Sequence, residues 1–169
     1  MSHWRRVEIY TSFLRLSGEL EGSADGRLTD LVAASSPCLE LRDAAVEPVT
    51  EHHLQLGQGL QVLSVVKAAI SLVCPRDQVG ETARHREAWR EKERVPVQLN
   101  TQAFSMLCEV HLEPGTGLED HLCADGGGFF PVTALSALWL TGPEPRAVQR
   151  GFALVNSAHL VGFAPAPPR

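Results

Sequence analysis

Leu14-Arg15-Leu16-Ser17-Gly18-Glu19-Leu20 alternates apolar with polar side chains, and Phe104-Ser105-Met106-Leu107-Cys108-Glu109-Val110 does so again about ninety residues later. Alternation with a period of two places every second side chain on one face, the pattern of a half-buried strand. The neighbours of the two stretches answer each other in the same order. Arg6-Val7-Glu8-Ile9 is followed about ninety residues on by Arg94-Val95-Pro96-Val97. Arg27-Leu28-Thr29-Asp30-Leu31 is matched by Gly117-Leu118-Glu119-Asp120-His121, and Cys38-Leu39-Glu40-Leu41 by Phe129-Phe130-Pro131-Val132. Val65-Val66-Lys67-Ala68-Ala69-Ile70 is matched by Leu154-Val155-Asn156-Ser157-Ala158-His159. A repeat of that length is a duplicated domain, not a solenoid unit.

The expected architecture is α+β, mainly β. It consists of two tandem, similar, small β-rich modules with short helices, related by a pseudo-twofold axis. Residues 1–75 form the first module, 76–94 a charged linker helix, 95–164 the second module and 165–169 a disordered tail. Gly26–Ala34 and Gly117–Ala124 read as short helices, the first capped by Asp25, whose side chain can satisfy free amide groups. Cys38–Val46, Phe129–Leu140, Leu60–Val73 and Phe152–Phe163 read as strands, the last two each a late strand or bent hairpin. Arg42–Gln58 and Thr141–Arg150 read as loops. The proline-rich ending from Ala164 has too few N–H donors for helix or sheet. In the linker, Glu81–Arg94 is rich in helix formers, and Trp89 is its one large apolar residue.

The chain has 169 residues, 44% of them hydrophobic and 21% charged, the composition of a globular protein. A net charge of −5 argues against nucleic acid as a partner, because its binders concentrate Lys and Arg. No apolar run is long enough to span a membrane. Cys38, Cys74, Cys108 and Cys123 form no C-x-x-C pair, and no secretory signal follows Met1, so a cytoplasmic protein with reduced thiols is expected.

Cys108-x-x-His111 and His121-x-Cys123 hold zinc-ligand residue types, but alternation turns Cys108 and His111 to opposite faces of one strand. No metal site and no cofactor are therefore expected, and these four residues stand only as the weaker alternative of a metal-dependent enzyme. Glu51-His52-His53 reads as a polar loop. Asp125-Gly126-Gly127-Gly128 precedes a strand instead of opening a helix, so it reads as a turn and not as a phosphate loop. No nucleophile elbow is present, and no catalytic residue is assigned.

Leu154-Val155-Asn156-Ser157-Ala158-His159-Leu160-Val161, with Gly26-Arg27-Leu28-Thr29-Asp30 and Cys38–Ala44, resembles the motifs of an uncharacterised bacterial family of small β-rich modules. That family reads roughly V-N-K-x-H-I at the close and G-R-L-S-D at the helix start. The chain departs from it at Ser157, and in the first half at Ala68 and Ile70. The strand order is also similar to that of small barrels of the Sm type, a likeness of fold that carries no function. The resemblance implies a binding or assembly module and no activity. The expected function is a non-enzymatic adaptor or scaffold subunit whose partner is another protein or a second copy. Trp89, Trp139, Asn156 and His159 are its candidate contact residues. The alternative is a small-ligand or nucleotide sensor with its site between the modules.

Overall fold

The computed structural model of the chain describes residues 3–23, 26–49, 57–76, 92–123 and 128–166. β1 (His3–Tyr10) and β2 (Leu14–Gly22) form a hairpin. Its turn is held by Thr11, whose Oγ1 accepts the N–H groups of Phe13 at 3.3 Å and Leu14 at 3.0 Å. A hydroxyl that bonds the backbone two and three residues on stabilises such a turn. The helix α1 (Leu28–Ala33) follows, then β3 (Cys38–Pro48), β4 (Gly57–Val66), a 3₁₀ turn at Lys67–Ala69 and β5 (Leu72–Pro75).

The second half of the chain has the same order of elements. β6 (Glu93–Thr101) and β7 (Phe104–Leu112) form a hairpin, and Thr101 Oγ1 accepts from Ala103 at 3.2 Å and Phe104 at 2.9 Å. Then come α2 (Leu118–Leu122), β8 (Phe129–Trp139), β9 (Arg146–Asn156), a 3₁₀ turn at Ser157–His159 and β10 (Leu160–Pro165). The registers correspond too. Val7 faces Pro75 and Ile9 faces Val73; ninety residues on, Val97 faces Pro165 and Leu99 faces Phe163.

The ten strands of the described residues pair antiparallel in one sheet of order β10-β6-β7-β8-β9-β5-β1-β2-β3-β4. The sheet is open: among the described residues, no strand covers the outer edge of β10 or of β4. The halves meet where β5 pairs with β9, Leu72 opposite Val155 and Val73 opposite Leu154. This seam joins unlike strands, the last strand of the first half and the fourth of the second. It is therefore not the self-complementary contact that a pseudo-twofold axis through it would produce.

β3 and β8 are each bent at a bulge. Asp43 and Ala134 take left-handed φ values of 47° and 50° there, and the pairing with the preceding strand shifts register. A non-glycine residue in that region costs about 1 kcal/mol, which the pairing on both sides must offset. Gly18 sits where β2 crosses the bend of β3. A Cβ at Gly18 would lie 2.8 Å from the Arg42 carbonyl oxygen, so this approach needs glycine.

Two cores form, and each borrows from the other half. One contains Val7, Ile9, Leu16, Leu41 and Val73 together with Leu154 of β9. The other contains Val97, Phe104, Met106, Val132 and Trp139 together with Tyr10, Leu72 and Cys74 of the first half. The Tyr10 ring stands edge-on to Phe104 at 6.1 Å and to Trp139 at 5.4 Å, while Phe104 and Trp139 stack at 5.7 Å. Trp139 Nε1 donates to the Ser12 carbonyl at 3.2 Å.

Several expectations need correction. Arg146–Arg150, read as loop, opens β9, because Val148 packs inward between exposed and half-buried neighbours. β3 continues to Pro48. Ala164 and Pro165 are strand, and the Ala166 N–H donates to the Pro96 carbonyl at 2.8 Å; proline is tolerated because β10 is an edge. Trp139, a candidate for contact with a partner, is 1% exposed and belongs to the core. α1 begins at Leu28, and the Arg27 N–H bonds Asp30 Oδ2 at 3.3 Å. Glu93 and Arg94, read as the end of the 76–94 linker helix, open β6. Residues 77–91 of that linker with Trp89, Asp25 and the histidines at 52 and 53 lie outside the described residues.

Replacing Trp139 by Ala should empty the shared aromatic cluster and lower stability by about 4 kcal/mol. Urea unfolding followed by fluorescence or circular dichroism measures this. A loss under about 1 kcal/mol would mean that the halves do not depend on each other through this contact.

Candidate functional site

The densest polar arrangement lies at the seam. Asn156 ends β9 and is 5% exposed. Its Nδ2 donates to the Ile70 carbonyl at 2.9 Å and reaches the Lys67 carbonyl at 3.4 Å, while its Oδ1 accepts the Ala158 N–H at 3.1 Å. One amide thus fastens the 3₁₀ turn of the second half to that of the first. The Asn156 backbone N–H adds a bond to the Ser71 carbonyl at 3.0 Å. His159 closes the arrangement. Its Nε2 lies 2.8 Å from the Ala68 carbonyl and its Nδ1 3.3 Å from Ser71 Oγ. A carbonyl only accepts, so Nε2 carries hydrogen, and in the neutral ring Nδ1 accepts from the Ser71 hydroxyl. Asn156 and His159 are therefore brought together, as candidate contact residues, on a partner inside the same chain.

On the other side of β5, Glu8 of β1 is 5% exposed. Its carboxylate accepts from the Tyr10 hydroxyl at 3.0 Å and from Arg150 Nη2 of β9, and Arg76 Nε lies 3.6 Å away. Arg150 Nη2 also donates to the Tyr10 oxygen at 3.1 Å. Burial by itself raises the pKa of Glu8. The bond and charge of Arg150, the Tyr10 hydroxyl and the charge of Arg15 outweigh it and hold Glu8 below the ordinary 4.5. Burial, then the neighbouring carboxylate, pushes the Tyr10 phenol well above its usual range. Burial also pushes the Cys74 thiol up to about 12, so that it stays protonated and inert at neutral pH. These groups hold a fixed ion pair and expose no nucleophile.

The four zinc-type residues are placed apart in their surroundings. Cys108 is buried in the second core. His111 Nε2 lies 2.8 Å from Thr133 Oγ1 on the other face of β7, as the alternation predicts. The His121 ring stands edge-on to Phe130 at 6.1 Å, and burial lowers its pKa, with the charge of Lys92 adding to this against Glu113. Cys123 is exposed at the end of α2. Among the described residues no three His, Cys, Asp or Glu side chains are grouped as metal ligands are. Gly128 donates its N–H to Ser157 Oγ at 2.8 Å and accepts from the Ser157 N–H at 2.8 Å, so it fixes the start of β8 against the second 3₁₀ turn.

Two surface hollows stand out. One, of about 500 Å³, is open to solvent and lined by Ala134, Leu135, Ser136, Gln149, Arg150 and Gly151 at the bend of β8 and β9. The other, of about 300 Å³, lies between the end of α2 and β10, against Leu122, Ala158, Leu160, Val161 and Phe163. Neither lies between the halves, where Leu72, Val73, Leu154 and Val155 are fully buried. The surface also carries exposed apolar side chains. Leu107, Leu138 and Leu140 are exposed on and beside β7 and β8, and Val62, Val66 and Val161 on β4 and β10. Among the described residues no helix is long and apolar enough to cross a membrane.

The Glu8–Tyr10–Arg150 cluster was invisible in the sequence, because Arg150 stands 142 positions from Glu8 and 140 from Tyr10. Ser71, too, carries no signal by itself.

Two outcomes follow for the seam. Asn156→Ala leaves a buried carbonyl and an N–H without their partner and should cost about 2 kcal/mol in urea unfolding. Glu8, with a lowered folded-state pKa, contributes stability above its unfolded value that is lost as pH falls through the folded value. The wild type should therefore lose stability steadily on acidification below 4.5. Glu8→Gln should be less stable at neutral pH and should show a flatter decline over that acid range. Parallel declines for the two proteins would remove Glu8 from the acid response.

No known protein family matches this chain, and neither a curated protein nor a solved structure is detectably similar to it.

Proposed function

We propose that this chain is a non-enzymatic, protein-binding scaffold or adaptor subunit made of two tandem copies of one small β-rich module. The duplication is supported by the repeated order of elements, the constant offset in register and the paired left-handed residues Asp43 and Ala134. The bends at those residues are what each module needs to curl toward a small barrel of the Sm type. The resemblance to bacterial β-rich modules fits this reading, as does an intracellular setting for the free thiols.

The observation that carries the reading is the pair of open sheet edges without charge among the described residues; both are bulged, β4 in its pairing with Ala44–Val46 and β10 between Leu160 and Gly162, and β10 ends in Pro165. Natural edge strands are commonly protected by charge, by bulges that twist the edge away or by a covering element. Neither Gly57–Val66 nor Leu160–Pro165 contains a charged residue, and Val62, Val66 and Val161 are 57%, 53% and 70% exposed. An open, apolar edge accepts an added strand through its backbone. The exposed leucines on β7 and β8 offer a second contact face.

A sensor for a small ligand or nucleotide is the second reading. It needs an enclosed cavity between the modules, and the filled seam at Leu72, Val73, Leu154 and Val155 places it behind the first.

Affinity capture from the host's own cells tests the proposal, comparing wild type with Val66→Pro, with Val161→Asp and with a Leu107→Ser, Leu138→Ser double variant. A stoichiometric protein, other copies of this chain included, should accompany the wild type and be lost from at least one variant. Absence of any such protein, or identical capture by all four, would overturn the reading.

A further inference from the structure

We infer that the two free edges are complementary to each other, so that β4 of one copy pairs with β10 of the next and copies join head-to-tail. The inference rests on the scaffold reading and names its partner as a second copy of this chain.

The seam inside the chain supplies the template. β5 and β10 hold the same place beside β1 and β6, with Pro75 opposite Val7 and Pro165 opposite Val97. β4 and β9 hold the same place beside β3 and β8, with Val66 opposite Cys38 and Asn156 opposite Phe129. One pair of these strands, β5 with β9, is used within the chain. The other pair, β10 with β4, is left over at the two ends of the sheet. A contact between unlike strands leaves one of each unsatisfied, and a second copy supplies both.

The backbone of β4 is already set for it. At the seam, the Asn156 N–H points outward to the Ser71 carbonyl at 3.0 Å, and the next N–H, that of Ser157, turns inward to Gly128 at 2.8 Å. On β4 the Lys67 N–H turns inward to the Pro37 carbonyl at 2.9 Å. The Val66 N–H therefore points outward, as that of Asn156 does. Carrying the seam's register over places Val66 N–H at the Val161 carbonyl of the next copy, Val65 opposite Gly162 and Ser64 opposite Phe163.

Burial gives an independent indication. Ser71, Leu72 and Val73 are 0% exposed because β9 covers them. At their counterparts, Val161 is 70% exposed and Gly162 and Phe163 are half-buried beside the 300 Å³ hollow. Val66 is 53% exposed where its counterpart Asn156 is 5% exposed. The side chains that staple the inner seam are apolar at the outer one, where Val66 and Ala69 stand in place of Asn156 and His159. The two seams thus share a backbone pattern but differ in side-chain chemistry.

The test uses the purified full chain and its light-scattering mass at micromolar concentration. Wild type should run at a whole multiple of the chain mass, two copies or more, and Leu138→Ser should do the same. Val66→Pro removes the outward N–H at a φ of −69° that proline accepts. Val161→Asp places a carboxylate where the partner strand packs. Each should be monomeric with unchanged circular dichroism, and Val62→Lys serves as a second β4 variant should the proline disturb folding. The decisive step is mixing. Each variant retains the edge that the other has lost, so Val66→Pro and Val161→Asp together should give a one-to-one pair and nothing larger. A monomeric wild type overturns the inference, as does an assembly that survives in either single variant, which would mean that like edges pair. A monomeric wild type that still captures a different protein through its edges would leave the scaffold reading standing.

Discussion

The pairing of β5 with β9 is the constraint on which the rest of the structure depends. β5 has four residues, and among the described residues it is the only strand of the first half that pairs with the second. Two register partners make a weak ladder, and an isolated pair of short strands is marginal in water. The seam holds because each side of it is reinforced. Leu154 of β9 enters the first core, and Tyr10, Leu72 and Cys74 enter the second. Neither half has a complete core without the other, as expected of segments this short.

The polar groups at the seam define its register more than they add to its strength. A buried ion pair such as Glu8 with Arg150 recovers through mutual attraction roughly what its desolvation costs, so its net contribution is modest. Arg150 is also about one-third exposed, which screens it further. Losing one partner, however, leaves a buried carboxylate uncompensated. A slip of β9 by one residue would do this and would also exchange Ala153 and Val155 with Leu154 between the two cores. Asn156 acts in the same sense at the other end, since its amide meets the Ile70 and Lys67 carbonyls in one register only. The seam is thus placed by polar geometry and stabilised by apolar burial.

The strands were legible wherever one face is buried and the other wet. Leu14–Leu20 and Phe104–Val110 alternate cleanly, and both became central strands. The short helices were legible from their first turns, although their ends were not. Alternation failed at Arg146–Arg150, where charge suggested a loop; there Arg150 is carried inward by its bond to Glu8, a residue from the other end of the chain. The 3₁₀ turns at Lys67–Ala69 and Ser157–His159 lie inside stretches that read as a late strand or a bent hairpin each, since three residues are too few to break an apolar pattern. The seam itself could not be read, because pairing between distant strands leaves no local trace. The sequence repeat set Asn156 and His159 against Lys67 and Ile70; the strand registers shift this by one residue and set them against Val66 and Ala69.

The difference at these two positions bears on how two similar halves come to make one ordered chain. If both seams were alike, the inner one would have to form against equal competition from the edge of a neighbouring copy, and the halves could exchange between chains. The linker favours the inner seam by proximity, since an intramolecular partner acts at high effective concentration. Asn156, His159, Arg150 and the Trp139 bond to Ser12 favour it again, through contacts that Val66, Ala69, Leu60 and Pro48 at the corresponding places on β3, β4 and the 3₁₀ turn cannot make. Specific pairing among like edges requires a difference that disfavours the wrong partner as well as contacts that suit the right one. A polar inner seam and an apolar outer edge satisfy both conditions. The buried amides and ions of the inner seam have no matching groups on β4 or β10, and the backbone pattern of that seam is the one proposed for the pairing of the two ends.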